Sequence, residues 1–156
     1  MQAATRPTPE QLQAFAEGFN ASAMLRHFGV ELFFSDAPSR VCARVVVRHE
    51  HVGGLGSAEA VNGGILAALF DLVLGCTPAL IDPARRSATM QLSMSFLSPA
   101  VGPEIVAEAW VDRAGRSTVF ASAHILNGEG DVCARAQGVV KFANIPWSNG
   151  RSPGAG

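Results

Sequence analysis

Charge is scarce in this chain and nowhere concentrated. Of its 156 residues only 16% are charged, the formal net charge is −1, and the densest basic spot is the pair Arg85-Arg86. A nucleic-acid binder needs a basic face, which such a chain does not supply. Cysteine is also sparse. Cys42, Cys76 and Cys133 are widely spaced and form no CxxC pair, which argues against a disulfide framework or zinc site and fits reduced thiols in a core. His49 and His51 have no third ligand at metal spacing, and His27 and His124 fall at ordinary amphipathic positions, so no metal is expected. The first ten residues are polar and contain proline, without the apolar stretch of a signal peptide. The one long apolar run, Ile65 to Leu80, is short for a bilayer span and is interrupted by Asp71 and Pro78. A cytoplasmic location without a membrane partner is the expectation. No P-loop or dinucleotide fingerprint occurs, and Gly54-Leu55-Gly56-Ser57 does not have the spacing of a nucleophile elbow.

What is present is apolar: 48% of residues, in a length that suits one domain with a substantial core. Pro9 to Phe28 reads as one amphipathic helix with Leu12, Phe15, Ala16, Phe19, Ala23 and Met24 on its apolar side, ended by Gly29. Val30 to Phe34 predicts a short strand and Asp36 to Ser39 a turn. Val41, Ala43, Val45 and Val47 alternate with polar or small residues, as in a half-buried strand. After a glycine-rich loop from His51 to Val61, Ile65 to about Thr77 predicts a helix that is apolar all round and has to be enclosed on most sides. Four further alternating stretches follow, centred on Met90–Phe96, Ile105–Val111, Val119–Ile125 and Val132–Phe142. Short Gly-containing turns between them predict an antiparallel meander. The expected fold is α+β, an antiparallel sheet curled around one long central helix, with an N-terminal helix in addition. The expected domain is 1–143 with 1–8 flexible, followed by a disordered Gly/Ser/Pro-rich tail over 144–156.

Within the apolar helix Asp71 stands alone. A buried ionised carboxylate is costly unless paired or hydrogen-bonded, so it requires either a structural partner or a chemical role. At the helix start, Asn62 suits an N-cap. Gly63 and Gly64 suit either close packing against a sheet or free N–H groups that receive an anion or a developing oxyanion. Gly63 and Asp71 lie about 12 Å apart along a helix, too far for one carbonyl to meet both. Two antiparallel copies of the helix across a two-fold axis would bring Asp71 of one to Gly63 of the other, so a catalytic role for both requires a homodimer.

The segment Asn62-Gly63-Gly64-Ile65-Leu66-Ala67-Ala68-Leu69-Phe70-Asp71 resembles the hot-dog thioesterase signature HGGxxxxLxD, with Asn at the usual His. Thr89 to Ala100, closing on Ser98-Pro99-Ala100, resembles a strand of the phenylacetate-type acyl-CoA thioesterases. The resemblance runs from about Phe28 to Phe142. It implies a hot-dog fold and a catalytic carboxylate at Asp71 that activates water or attacks the thioester. It also implies an N–H at Gly63 that polarises the carbonyl, and a hydroxyl at Thr89 near the water. Arg116, in the turn Gly115-Arg116-Ser117, matches a basic position near the coenzyme A phosphates, although a solvated turn arginine reads the same way. The position where related enzymes carry Asn or Gln ahead of the glycine is Gly56 here, with Ser57, Glu59 or His51 as possible replacements.

The implied function is hydrolysis of acyl-CoA by a homodimer or a tetramer, with no cofactor beyond the coenzyme A of the substrate. Asp71, Gly63, Asn62 and Thr89 would form the catalytic set. Gly64, Arg116, Leu66 and Phe70 would bind substrate, although Leu66 and Phe70, like Met90 and Met94, equally suit a core. Three alternatives stay open. They are an acyl-carrier-protein thioesterase, an acyl-CoA-binding protein without turnover, and a hot-dog dehydratase or hydratase, for which no well-placed loop histidine is found.

Overall fold

The computed structural model of the chain describes residues 6–53 and 59–146. The N-terminal segment folds into two helices, not one. Helix α1, Pro9–Asn20, opens with a capping box: Thr8 Oγ1 accepts from Gln11 N–H at 3.3 Å, and Gln11 Oε1 accepts from Thr8 N–H at 2.9 Å. It stops at Ala21 because Ser22 caps a second helix, α2, Ala23–Phe28, by accepting from Leu25 N–H at 3.3 Å. Asn20, the last residue of α1, turns its side chain to β1 at the same point. Its side chain receives Leu32 N–H at 2.7 Å and donates to Leu32 C=O at 2.9 Å. Asn and Ser compete well for backbone partners, which is why they end a helix that periodicity alone would continue. Gly29, in the left-handed region at φ 64°, terminates α2.

Six strands form one antiparallel sheet in the order β1-β2-β4-β5-β6-β3. The strands are β1 Val30–Asp36, β2 Ser39–Val46, β3 Arg85–Phe96, β4 Glu104–Ala114, β5 Thr118–Leu126 and β6 Val132–Pro146. The expected four-strand meander is therefore shortened to β4-β5-β6. Strand β3 pairs with β6, with Leu92 opposite Gly138, while β4 pairs with β2, with Ala109 opposite Val41. The link from Leu97 to Pro103 carries two prolines and crosses the end of the sheet. It is held there by Leu97 N–H on Cys133 C=O and Val47 N–H on Pro103 C=O, both at 2.9 Å. β6 runs to Pro146, past the expected tail boundary at 144, and Thr8, within the segment expected to be flexible, caps α1.

The sheet curls around helix α3, Gly63–Gly75, whose Leu66, Leu69, Phe70, Val73 and Leu74 are buried against it. Facing them are Val41, Ala43 and Val45 of β2, Ile105, Ala107 and Ala109 of β4, and Val119, Ala121, Ala123 and Ile125 of β5. The alanines let the helix approach closely. At Gly138 of β6 the approach is tight, since a Cβ there would lie 3.2 Å from Leu74 Cδ1. By length and composition Gly63–Leu80 could cross a membrane, at 18 residues and mean hydropathy 1.7, but half of it is buried inside the fold. It is a core helix followed by the 3₁₀ turn Thr77–Leu80.

Candidate active site on the open face of the central helix

Helix α3 is enclosed on most sides, as its composition suggested, and leaves one face open. Gly64, Ala68 and Asp71 are exposed, and Gly75 is half-buried. Their spacing places them along one helix face. Asp71 is thus no buried charge within a single chain. It sits in a cavity of about 410 Å³ between α3, the N-terminal helices and β3. Thr89 lines the same cavity, as do Arg85 and Arg86 at the start of β3, and Phe15, Phe19 and Met24 from α1 and α2.

Two hydroxyls from β3 approach the end of α3 and are used differently. Ser87 Oγ donates to Gly75 C=O at 2.8 Å and fastens the strand to the helix. Thr89 Oγ1 lies 3.1 Å from where a Cβ on Gly75 would stand, so glycine at 75 makes room for it. Thr89 Oγ1 has no hydrogen-bond partner among the described residues and remains available in the cavity of Asp71. Gly75 and the arginine pair were not singled out as site residues from sequence. A glycine inside an apolar helix and two adjacent arginines ahead of a strand were the available signals.

The opposite end of α3 is built by Asn62. Its Oδ1 accepts from Gly64 N–H at 2.8 Å, its Nδ2 donates to Gly53 C=O at 2.9 Å, and its own N–H donates to His51 C=O at 2.8 Å. Asn62 therefore caps the helix and ties down both arms of the loop. This leaves the Gly64 N–H occupied and the Gly63 N–H without an acceptor among the described residues. Neither glycine is demanded by packing within the chain. A Cβ on Gly63 would meet only the Phe96 ring at 3.6 Å, and one on Gly64 only Asn62 Oδ1 at 3.1 Å.

Leu66 and Phe70 lie in the core at 3% and 0% exposure and do not line the cavity. Helical geometry turns them toward the sheet while Asp71 faces away. The apolar lining beside Asp71 comes instead from Phe15, Phe19, Met24 and Leu72. Arg116 is exposed in the β4–β5 turn, outside the cavity lining. It stands at the same end of the sheet as Arg85, because Phe142 N–H donates to Ser117 C=O at 2.9 Å and Phe142 pairs with Ser87. The Arg85 guanidinium stacks over the Phe142 ring at 4.0 Å.

Of the polar groups ahead of α3, Gly56 and Ser57 lie outside the described residues, and Glu59 is exposed. His51 is fully buried. Its Nδ1 accepts from Arg48 N–H at 3.0 Å, and its Nε2 has no partner among the described residues. All three cysteines are buried and free. Burial, reinforced by the Asp71 carboxylate, pushes the Cys76 thiol far above its ordinary range, and burial holds Cys42 up at about 11. Neither serves as a nucleophile near neutral pH. No group of His, Cys, Asp and Glu among the described residues could hold a metal ion.

An antiparallel sheet wrapped on one long helix, with a carboxylate on the face the sheet leaves open, is the hot-dog fold. Residues 59–134 match the family model of the thioesterase superfamily. Comparison with curated protein sequences gives no match. Among solved structures, a thioesterase of Haemophilus influenzae superposes with a TM-score of 0.74 at 18% identity, over 92% of this chain and 96% of its own. A thioesterase family protein of Silicibacter pomeroyi gives 0.72 at 19% identity, over 85% and 97%. The E. coli protein of the phenylacetic acid degradation operon gives 0.73 at 16% identity, over 88% and 97%. The structural likenesses concern the fold; the matched segment, just under half of the chain, is similar to the thioesterase superfamily.

Proposed function

We propose that the protein hydrolyses acyl-CoA thioesters in the cytoplasm, at a site shared by two copies of the chain. The observation that carries the reading is the open face of α3. A carboxylate and an unfilled helix N-terminal N–H stand on small, solvent-facing residues beside an unpaired strand edge. Among the described residues β3 is bonded only to β6; it is 12 residues long and exposes Met90 and Phe96. A long apolar edge of this kind is a template for another strand. Pairing two β3 strands antiparallel about a two-fold near Leu92 and Ser93 would set Phe96 of one copy against Thr89 of the other. Phe96 marks the Gly63 end of α3 and Thr89 the Gly75 end, so Asp71 of one copy would then meet Gly63 of its partner.

In that arrangement the thioester carbonyl receives the Gly63 N–H at the positive end of the helix, where the developing oxyanion is stabilised. Asp71 takes a proton from water, or attacks the carbonyl itself, and Thr89 orients the water. Asn62 holds the helix start so that the Gly63 N–H alone is left open. Arg85 and Arg116 supply positive charge at one end of the sheet for the coenzyme A phosphates. No cofactor takes part. Asp71→Asn is isosteric and sits on an exposed position, so it is expected to fold and dimerise while losing nearly all thiol release from acyl-CoA. Wild-type turnover in that variant would overturn the mechanism, and monomers in sedimentation at assay concentration would overturn the shared site. Comparing acyl-CoA with acyl-carrier-protein thioesters separates the two carriers.

A further inference from the structure

The space around Asp71 continues past α3. A second, narrower slot of about 40 Å³ lies between Leu25, Phe28 and Val30 on one side and Ile65 and Leu69 on the other. Met24, Ala68 and Leu72 line both spaces. The large cavity is edged by Asp71, Arg85, Arg86, Ser87 and Thr89, whereas every residue lining the slot is apolar. Water in such a slot has no hydrogen-bond partner. Met24, at 53% exposure, stands at the junction, and its thioether side chain is unbranched and able to swing. Ala68 precedes Asp71 by one helical turn on the same face, so an apolar group attached to a carbonyl at Asp71 finds this slot as its nearest dry wall.

We propose that the slot between α2 and α3 receives the acyl chain of the thioester, and that Met24 sets the length it admits. The inference rests on the hydrolytic reading and adds to it a specificity-determining residue outside both α3 and β3. As placed, Met24 leaves room for about three non-hydrogen atoms, at roughly 10–15 Å³ each. Short acyl groups fit directly, and longer ones enter as Met24 swings aside. Each further methylene withdrawn from water strengthens the fit by about fourfold.

The test is kcat/KM over acetyl- to dodecanoyl-CoA for the wild type, Met24→Ala and Met24→Trp, with binding of the matching S-alkyl-CoA thioethers measured alongside by calorimetry. In Met24→Trp the octanoyl-to-acetyl ratio is expected to fall by roughly tenfold or more, the loss of about two buried methylenes at fourfold each. In Met24→Ala the same ratio rises and the preferred length increases. The thioether affinities follow the same order. Superimposable length profiles for the three proteins would overturn the proposal, and so would a uniform loss at every length or a changed oligomeric state with an unchanged profile. Absence of turnover for any thioester would instead remove the hydrolytic reading, while the thioether series would still report on the slot.

Discussion

Gly63→Pro removes one hydrogen-bond donor from the proposed site and very little else. Gly63 is the first residue of α3, where proline's fixed φ is favourable and its missing N–H leaves no intrahelical bond unmade. Asn62 already holds φ −59° and ψ 137°, the extended conformation that a residue before proline prefers. The space is also free, since the first side-chain carbon would meet only the Phe96 ring at 3.6 Å. The variant is therefore expected to fold, dimerise and melt close to the wild type. Losing one oxyanion donor costs about 10²–10³ in kcat, or roughly 2.7–4 kcal/mol of transition-state stabilisation. Thiol release from acyl-CoA under saturating substrate measures it. A folded variant with unchanged kcat would refute the assignment of the Gly63 N–H. Mixing makes the test sharper. If each site takes Asp71 from one copy and Gly63 from the other, Gly63→Pro and Asp71→Asn chains combine into heterodimers with one intact site of two. Equal mixing with free exchange then restores about a quarter of wild-type activity, because half the dimers are mixed. A site contained within one chain would give no recovery at all.

Gly75→Ala places a methyl group 3.1 Å from Thr89 Oγ1; kcat is expected to fall severalfold while the melting temperature holds or rises, alanine being favoured over glycine in a helix by about 1 kcal/mol. Gly138→Ala should do the reverse, lowering stability to urea by about 1–3 kcal/mol through overpacking against Leu74 Cδ1 and Gln91 C=O, both 3.2 Å from the new carbon. Unchanged midpoints in that variant would show that α3 is free to move off the sheet. At pH 8 the native protein should resist thiol-specific alkylation, because Cys42, Cys76 and Cys133 are buried and burial raises all three thiols, Cys42 to about 11. Rapid labelling before denaturant is added would contradict that burial.

The fold was legible wherever one physical preference acted alone. Alternation marked β2, β4, β5 and β6, and continuous apolarity marked α3. Legibility failed where side chains competed with the backbone. Asn20 took a partner on β1 and Ser22 capped a new helix at Leu25 N–H, so one predicted helix became two. It failed again where pairing is non-local. Nothing in the residues of β3 says that it lies beside β6 and not β4, because both neighbours would present alternating apolar faces. For the candidate site, the sequence supplied Asp71, Gly63 and Thr89, and the structure puts Asp71 and Thr89 in one cavity. The surroundings of Asp71 were misread for a simple reason. A helix that is apolar all round looks enclosed by its own chain, although small residues at 64, 68 and 75 serve a second copy equally well. Leu66 and Phe70, read as lining for the acyl chain or equally as core, lie in the core, and Met24, remote in sequence, could not be linked to Asp71 until α2 was placed.

The clasp between Asn20 and Leu32 bears on how far assembly can go. β1 and β3 are the two outer strands of the sheet, and a sheet with two available borders could in principle add copies without limit. One amide side chain occupies both the N–H and the C=O of Leu32 on β1, so a strand added along that border would find no partner at Leu32. In the proposed dimer the two β3 borders are used against each other, and the blocked position on β1 opposes further growth of the sheet. Asn20, far from any chemistry, is thus placed to separate a closed pair from an open fibre.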